Sequence, residues 1–251
     1  MIIGFIGFGE VGSTLADKLI KSGISVKTSS KGRSSKTKEL IAKKGLEDLS
    51  SYEELAKTSD ILISSVSPSN AITIAKDYGK YSKLFLDLNN ISPKTTEEIA
   101  IILGNKFVDG AIIGRILSEK SIIYLSGPNA NKIAILNNYG IKTQVISSNT
   151  GDASTLKSLR SIYTKGVSAI LIETLKISEK LGLSDELIDT IAISECEDFK
   201  DHAESRIEGS IKHSKRKYEE LEEIISYLKS LNNVDIDTDL MEAIKHKFKK
   251  I

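Results

Sequence analysis

The sequence predicts an α/β domain of parallel strands with helices on both faces, followed by an all-helical domain. Three observations predict it. Short, continuous apolar runs alternate with amphipathic segments through residues 1–149, the pattern of strands buried on both faces of a parallel sheet. The three prolines, Pro68, Pro93 and Pro128, each follow a small residue (Ser67, Ser92, Gly127) just after such a run, as at strand-to-helix switches. From Gly151 to Ile251 no stretch reads as a strand. The expected domains are 1–149 and 150–251.

The elements follow in order. Ile2–Gly7 reads as a buried strand, and the segment from Glu10 as its helix, closed by Gly23. "ISVKT" is the second strand, and "SKTKELIAKKG" a short helix ending at Gly45. Ser51 with Glu54 makes a capping box ahead of another helix. "DILISSVS", "KLFLDLNN", "KFVDGAIIG", "SIIYLSG" and "IKTQVIS" supply further strands, with a helix over about 129–138. After the boundary one long helical pattern runs from Asp152 to Gly182. Three more amphipathic segments follow, near Asp185–Ile207, Ser210–Leu231 and Asp237–Lys250.

Composition narrows the class. Lys+Arg 35 against Asp+Glu 34 leaves no net field to draw nucleic acid or an anionic membrane. No apolar run approaches the roughly 18 residues of a spanning helix. The chain opens on a buried-looking strand, so no signal peptide is expected. A lone Cys196 cannot form an internal disulfide and fits a reducing cytosol, so a cytoplasmic protein is expected. No Cys/His cluster has zinc spacing, so no metal site is expected.

The chemistry begins at "GFIGFGEVG". Gly7, Phe8, Gly9, Glu10, Val11 and Gly12 fit G-x-G-x-x-G between a strand and a helix. Gly7 is expected to make the tight turn, Gly9 to admit a pyrophosphate, and Gly12 to let helix and strand pack closely. Helix-start N–H groups then bind phosphate. This is the signature of a Rossmann-type dinucleotide-binding domain. Such domains usually carry a carboxylate after the second strand, about 20 residues on, to hold ribose hydroxyls. Here that stretch is "VKTSSKGRSS", with no acid. Arg33, flanked by Ser29, Ser30 and Ser34, suits the 2′-phosphate of NADP, which a carboxylate would repel. NADP(H) is therefore favoured over NAD.

These motifs, with "SSVSPSNA", "DLNNISP", "VDGAIIG", "LSGPNA" and "GDASTLKSLRSIYTKG" in that order, resemble the β-hydroxyacid dehydrogenase superfamily. That group includes 6-phosphogluconate and 3-hydroxyisobutyrate dehydrogenases. More closely, the chain is similar to a branch of archaeal and bacterial NADP-binding proteins with a short helical carboxy-terminal domain. The resemblance implies NAD(P)-linked oxidation of a hydroxyacid, or the reverse reduction; with the basic loop and the lysines below, the expected reaction is hydride transfer between NADP and a small, anionic hydroxyacid-type substrate. It implies cofactor contacts from Val66, Ser67 and Pro68, and from Asn89 and Asn90 where relatives carry Ser-Thr.

It also implies that Lys157, at the start of the long helix, is the general acid/base. Two departures mark the chain. Ser161 stands where the family has a substrate-orienting asparagine, and Ile113-Gly114-Arg115 replaces its Ser-Gly-Gly, leaving Gly114 at the substrate-gripping position. Lys157, Ser161 and Lys165 share a helical stripe, so two lysines would attract an anion; a solvated face is the plain alternative for Lys165. His213 and Arg216, three apart on one helix face, are implied substrate anchors, with surface pairing to Glu219, Glu220 or Glu223 as the alternative. A homodimer is expected from the long exposed helix. The rival readings are a catalytically silent NADP(H) sensor and an imine or ketone reductase.

Overall fold

The computed structural model describes residues 1–195, 198–231 and 236–251; Cys196 lies outside them. The chain divides into two compact units, Met1–Lys157 and Ser158–Ile251. The first contains β1 (Ile2–Ile6), α1 (Glu10–Lys21), β2 (Ser25–Thr28), α2 (Ser35–Lys43), β3 (Glu47–Asp48), α3 (Tyr52–Thr58) and β4 (Ile61–Ser64). It continues through α4 (Ala71–Asp77), β5 (Phe85–Asp87), α5 (Pro93–Leu103), β6 (Phe107–Ile113), β7 (Ile122–Ser126), α6 (Ala130–Ile133) and β8 (Thr143–Ser147). Helix α7 (Asp152–Leu181) starts in this unit and runs on into the second.

The strands form one sheet in the order β3-β2-β1-β4-β5-β6-β7-β8. Alternation along each strand sorts side chains between two cores. Ile3, Phe5, Ile63, Leu86 and Val108 join one, with Leu15 and Leu19 of α1 and Ile41 of α2. Ile6, Leu62, Phe85 and Phe107 join the other, with Leu55 of α3, Ala75 of α4 and Ile99 of α5. Both faces are covered, which is why these strands are apolar throughout.

Parallel pairing fails at one place. β6 and β7 are antiparallel, Ala111 opposite Tyr124. Their link carries no helix and turns through Gly114 at φ +90°. A parallel crossover needs about a dozen residues or more, usually helical. Local capping also differs from expectation. Ser51 Oγ accepts the Glu54 N–H (3.2 Å), but the Glu54 carboxylate turns to Ser50, accepting its hydroxyl at 2.7 Å. Ser92 caps α5 with Pro93 in its first turn. Pro68 opens a single 3-10 turn, Pro68–Asn70, before α4. Pro128 precedes the helix, and the segment expected over 129–138 is the short α6 followed by 3-10 turns.

The second unit is helical: the rest of α7, then α8 (Ser184–Ser194), α9 (Phe199–Lys212), α10 (Ser214–Lys229) and α11 (Asp239–Lys249). The expected segment over 185–207 is two helices, because Glu195 takes up extended backbone after α8. Leu221, Ile224, Ile225 and Leu228 make an apolar stripe on α10, matched by Met241, Ile244 and Phe248 on α11.

Candidate functional site

Strand order reverses between β1 and β4, so the crevice at their carboxyl ends is where such a sheet takes its ligand. The glycine turn lies there. Gly7 has φ +97°, and a Cβ on it would stand 2.1 Å from the Ser65 carbonyl oxygen. A Cβ on Gly12 would stand 2.4 Å from the Gly7 oxygen, and Ser65 Oγ donates to that oxygen at 2.9 Å. Both glycines are thus dictated by the protein's own packing. Gly9 is not: its backbone is extended at φ −83°, ψ −156°, and a Cβ there meets nothing within 4 Å. A glycine that the polypeptide does not require leaves bare backbone at the mouth of α1, the cradle a pyrophosphate fills. The residues fit a dinucleotide. Phe8 is buried against Phe5, so only its backbone reaches the loop; Glu10 is exposed and Val11 half-buried.

The β4 and β5 loops are locked together. Asn89 Oδ1 accepts the Val66 N–H (2.6 Å). Its Nδ2 donates to Ser64 Oγ (2.9 Å) and Asp87 Oδ2 (2.6 Å), so both amide hydrogens are engaged inside the protein. Ser67, Pro68 and Asn90 are exposed beside it.

The loop after β2 is less uniformly basic than its sequence. Asp48, from β3, accepts the Ser30 N–H at 2.8 Å, which places a carboxylate beside the stretch that lacks one. Arg33 lies over the Tyr52 ring, 5.2 Å from its centroid, and the Tyr52 hydroxyl donates to the Lys31 carbonyl. Burial pushes the Tyr52 phenol up, and Arg33 opposes the shift. Ser29 is buried rather than on the loop's surface, and Ser34 spends its hydroxyl capping α2.

Beside Asn89, where β5 pairs with β6, lie two carboxylates that sequence reasoning missed. Asp87 and Asp109 are register neighbours, 2% and 3% exposed. Asp87 accepts the Asn89 N–H (2.9 Å). Asp109 accepts the Ser154 hydroxyl (2.7 Å), the Ser154 N–H (2.9 Å) and the Ser126 hydroxyl (3.1 Å). Burial pushes Asp87 up to about 7, with the Asn89 N–H opposing, Asp109 adding to the rise, and Lys157 opposing it. Burial raises Asp109 too, against its bonds to Ser154 and Ser126 and the Lys157 charge. Lys157 is half-buried on α7. Gly114 is exposed at the β6 turn.

Within the second unit, Lys165 is not on a solvated face. It is 3% exposed, donates to Ser161 Oγ, and pairs with Glu220 at 2.8 Å. Lys217, unremarked in the sequence, donates to Ser210 Oγ (2.6 Å); burial, then the Lys165 charge, push it down to about 8. His213 and Arg216 do not share a helix face. His213 is the junction between α9 and α10, with non-helical backbone, and Arg216 sits in the first turn of α10 against Glu220 (3.5 Å). Both are exposed. Among the described residues no helix is long and apolar enough to cross a membrane, and no group of three or more His, Cys, Asp or Glu is placed to hold a metal ion.

A glycine turn at the switch point of a parallel sheet, opening a helix beside bare backbone, defines a dinucleotide-binding α/β protein. A family model described as NADP oxidoreductase, coenzyme F420-dependent, matches residues 2–90, and a domain of unknown function, DUF1932, matches residues 179–251. An uncharacterized 28.5 kDa protein of Methanothermus fervidus, from the 7S RNA 5′ region, is 47% identical over 100% of this chain and 99% of its own. A conserved protein of unknown function, whose structure is similar to 3-hydroxyacid dehydrogenases, gives TM-score 0.86 at 37% identity over 100% of this chain and 96% of that one. Mycobacterium tuberculosis 3-hydroxyisobutyrate dehydrogenase shares the fold, with TM-score 0.79 at 17% identity over 99% of this chain and 92% of that one. The chain belongs to the β-hydroxyacid dehydrogenase superfamily. Its class is that of oxidoreductases that use a nicotinamide dinucleotide.

Proposed function

We propose that the protein is an NADP-dependent oxidoreductase acting on a small anionic hydroxyacid, with Lys157 as general acid/base. The observation that carries the reading is Gly9, a glycine at the α1 mouth that packing does not explain and a bound pyrophosphate does. Backbone N–H groups of the turn from Gly7 to Gly12 would hold the phosphates, with Val66, Ser67, Pro68 and Asn90 flanking the dinucleotide. Arg33 and Ser30 would hold the 2′-phosphate, Arg33 preoriented by its contact with Tyr52.

When bound, the nicotinamide accepts or donates the hydride. Lys157 takes the proton from the substrate hydroxyl as the carbonyl forms, and returns it in the reverse direction. Ser161, Gly114, His213 and Arg216 are proposed to act on the substrate, Ser161 by orienting it and Arg216 by attracting its charge, while Lys165, buried against Glu220, holds the Ser161 hydroxyl.

Fluorescence titration of the protein with NADPH and, separately, NADH tests this; the chain has no tryptophan to mask nicotinamide emission. Charge-assisted hydrogen bonds are worth about 1.5–3 kcal/mol. Arg33→Ala should therefore weaken NADPH about 10–150-fold and leave NADH nearly unchanged. Asp48 of β3 accepts the Ser30 N–H and would repel a 2′-phosphate held there, so Asp48→Asn should raise the preference for NADPH. Equal losses for both dinucleotides in Arg33→Ala would remove the 2′-phosphate assignment. Failure to bind either would remove the proposed function.

A further inference from the structure

Two carboxylates lie buried side by side, Asp87 at the carboxyl end of β5 and Asp109 opposite it in β6, and hydride transfer alone gives them no task. Placing like charges together out of water is unfavourable, so their arrangement calls for an explanation. Their hydrogen bonds run in opposite directions. Asp87 holds Asn89 through its N–H (2.9 Å) and Nδ2 (2.6 Å), and Asn89 in turn holds the Val66 N–H (2.6 Å) of the loop after β4. Asp109 holds the first turn of α7 through the Ser154 N–H (2.9 Å) and hydroxyl (2.7 Å). Ser126, which donates to Asp109, also accepts the Ala153 N–H (3.0 Å). Asp109 and Ser126 together do for α7 what an N-cap does, from a neighbouring strand pair. Lys157 follows Ser154 by three residues on the same helix, which puts it one turn further along. The charged groups that act on Asp87 are Asp109 of β6 and Lys157 of α7.

We propose that Asp87 and Asp109 are positioning residues for Lys157: they tie the first turn of α7 to the dinucleotide loops and supply the negative field in which the lysine amine gains and loses its proton. This rests on the reading of Lys157 as general acid/base. The ammonium is the compensating charge that lets two adjacent carboxylates ionise, and the carboxylates favour the ammonium in return.

The test follows Lys157 itself. Lysines of the full chain are reductively methylated with a 13C label, and the Lys157 resonance is identified by its loss in Lys157→Arg. In Asp87→Asn and in Asp109→Asn its titration midpoint should fall by about one pH unit, since an opposing charge has been removed. A merely structural role would lower the melting temperature and leave the midpoint where it was, and that result overturns the proposal. Should either variant fail to fold, Ser154→Ala keeps both carboxylates and removes the hydroxyl that donates to Asp109 (2.7 Å) and accepts from Thr96 (3.3 Å). Amide exchange in the first turn of α7 should then speed up about ten-fold, the loss of one charge-assisted bond; unchanged exchange overturns the tie between Asp109 and α7. Activity separates this from the reading beneath it. A Lys157→Ala protein that still turned over its substrate would sink the acid/base assignment, whereas an unmoved midpoint sinks only the role of the two aspartates.

Discussion

Asp87 shows how one residue can set a pH response. Burial lifts its folded-state value from 3.8 to about 7, so the native protein keeps a proton that the unfolded chain has already lost. Between those values the folded state binds more protons than the unfolded one. Stability from this group is therefore fully present below about pH 4, and is lost as pH rises towards 7. Asp87→Asn cannot ionise, so its melting temperature relative to the wild type should climb between pH 5 and pH 8. A gap that stays constant over that range would contradict the assignment. Sequence reasoning found Gly7, Gly9 and Gly12 because their spacing is local. It missed Asp48, Asp87 and Asp109 because each is a lone acid near a strand end, indistinguishable from a solvated loop residue. Their meaning comes from lateral pairing, Asp87 beside Asp109 and Asp48 beside Ser30, and strand register is not written in any one segment.

At the scale of elements, the same limit applies to direction and breaks. Apolar periodicity located the strands of the first unit but could not show that β7 runs against β6; the missing helix between Ile113 and Ile122 was the available sign. In the second unit amphipathicity continued through the α9–α10 junction, so His213 was read as helical when it stands between the end of one helix and the start of the next. α7 and α10 share an apolar cluster, Ala169 with Leu221, and a polar contact, the buried Lys165 against Glu220 (2.8 Å), with Arg216 sharing the same carboxylate (3.5 Å). Removing one partner of a buried pair strands the other. Glu220 keeps partial exposure and the Arg216 contact, which reduce the penalty. Lys165→Ala should cost about 2 kcal/mol in urea unfolding. A cost near zero would mean that Lys165 is not a structural lysine.

At the scale of the whole molecule, α7 carries a face that a single chain leaves open. Along α7, Tyr163, Ile170 and Ile177 are spaced by seven and are 70%, 62% and 53% exposed, with Leu181 at 67% beyond them. Isolated exposed apolar residues are common on any surface. A seven-residue repeat on one side of a long helix is different, because it forms a continuous seam that another helix can fill. The proposed occupant is α7 of a second copy, which turns the sequence-based expectation of a homodimer into a statement about particular residues. A two-fold pair would bring the stripe against itself, as an isologous contact requires. Light scattering should give the mass of a dimer for the wild type. Ile170→Glu with Ile177→Glu should give a monomer that still binds NADPH, because neither residue belongs to the dinucleotide loops and charges in an apolar seam are not tolerated. A wild-type monomer, or a doubly substituted protein that stays dimeric, would show that this face is not the interface.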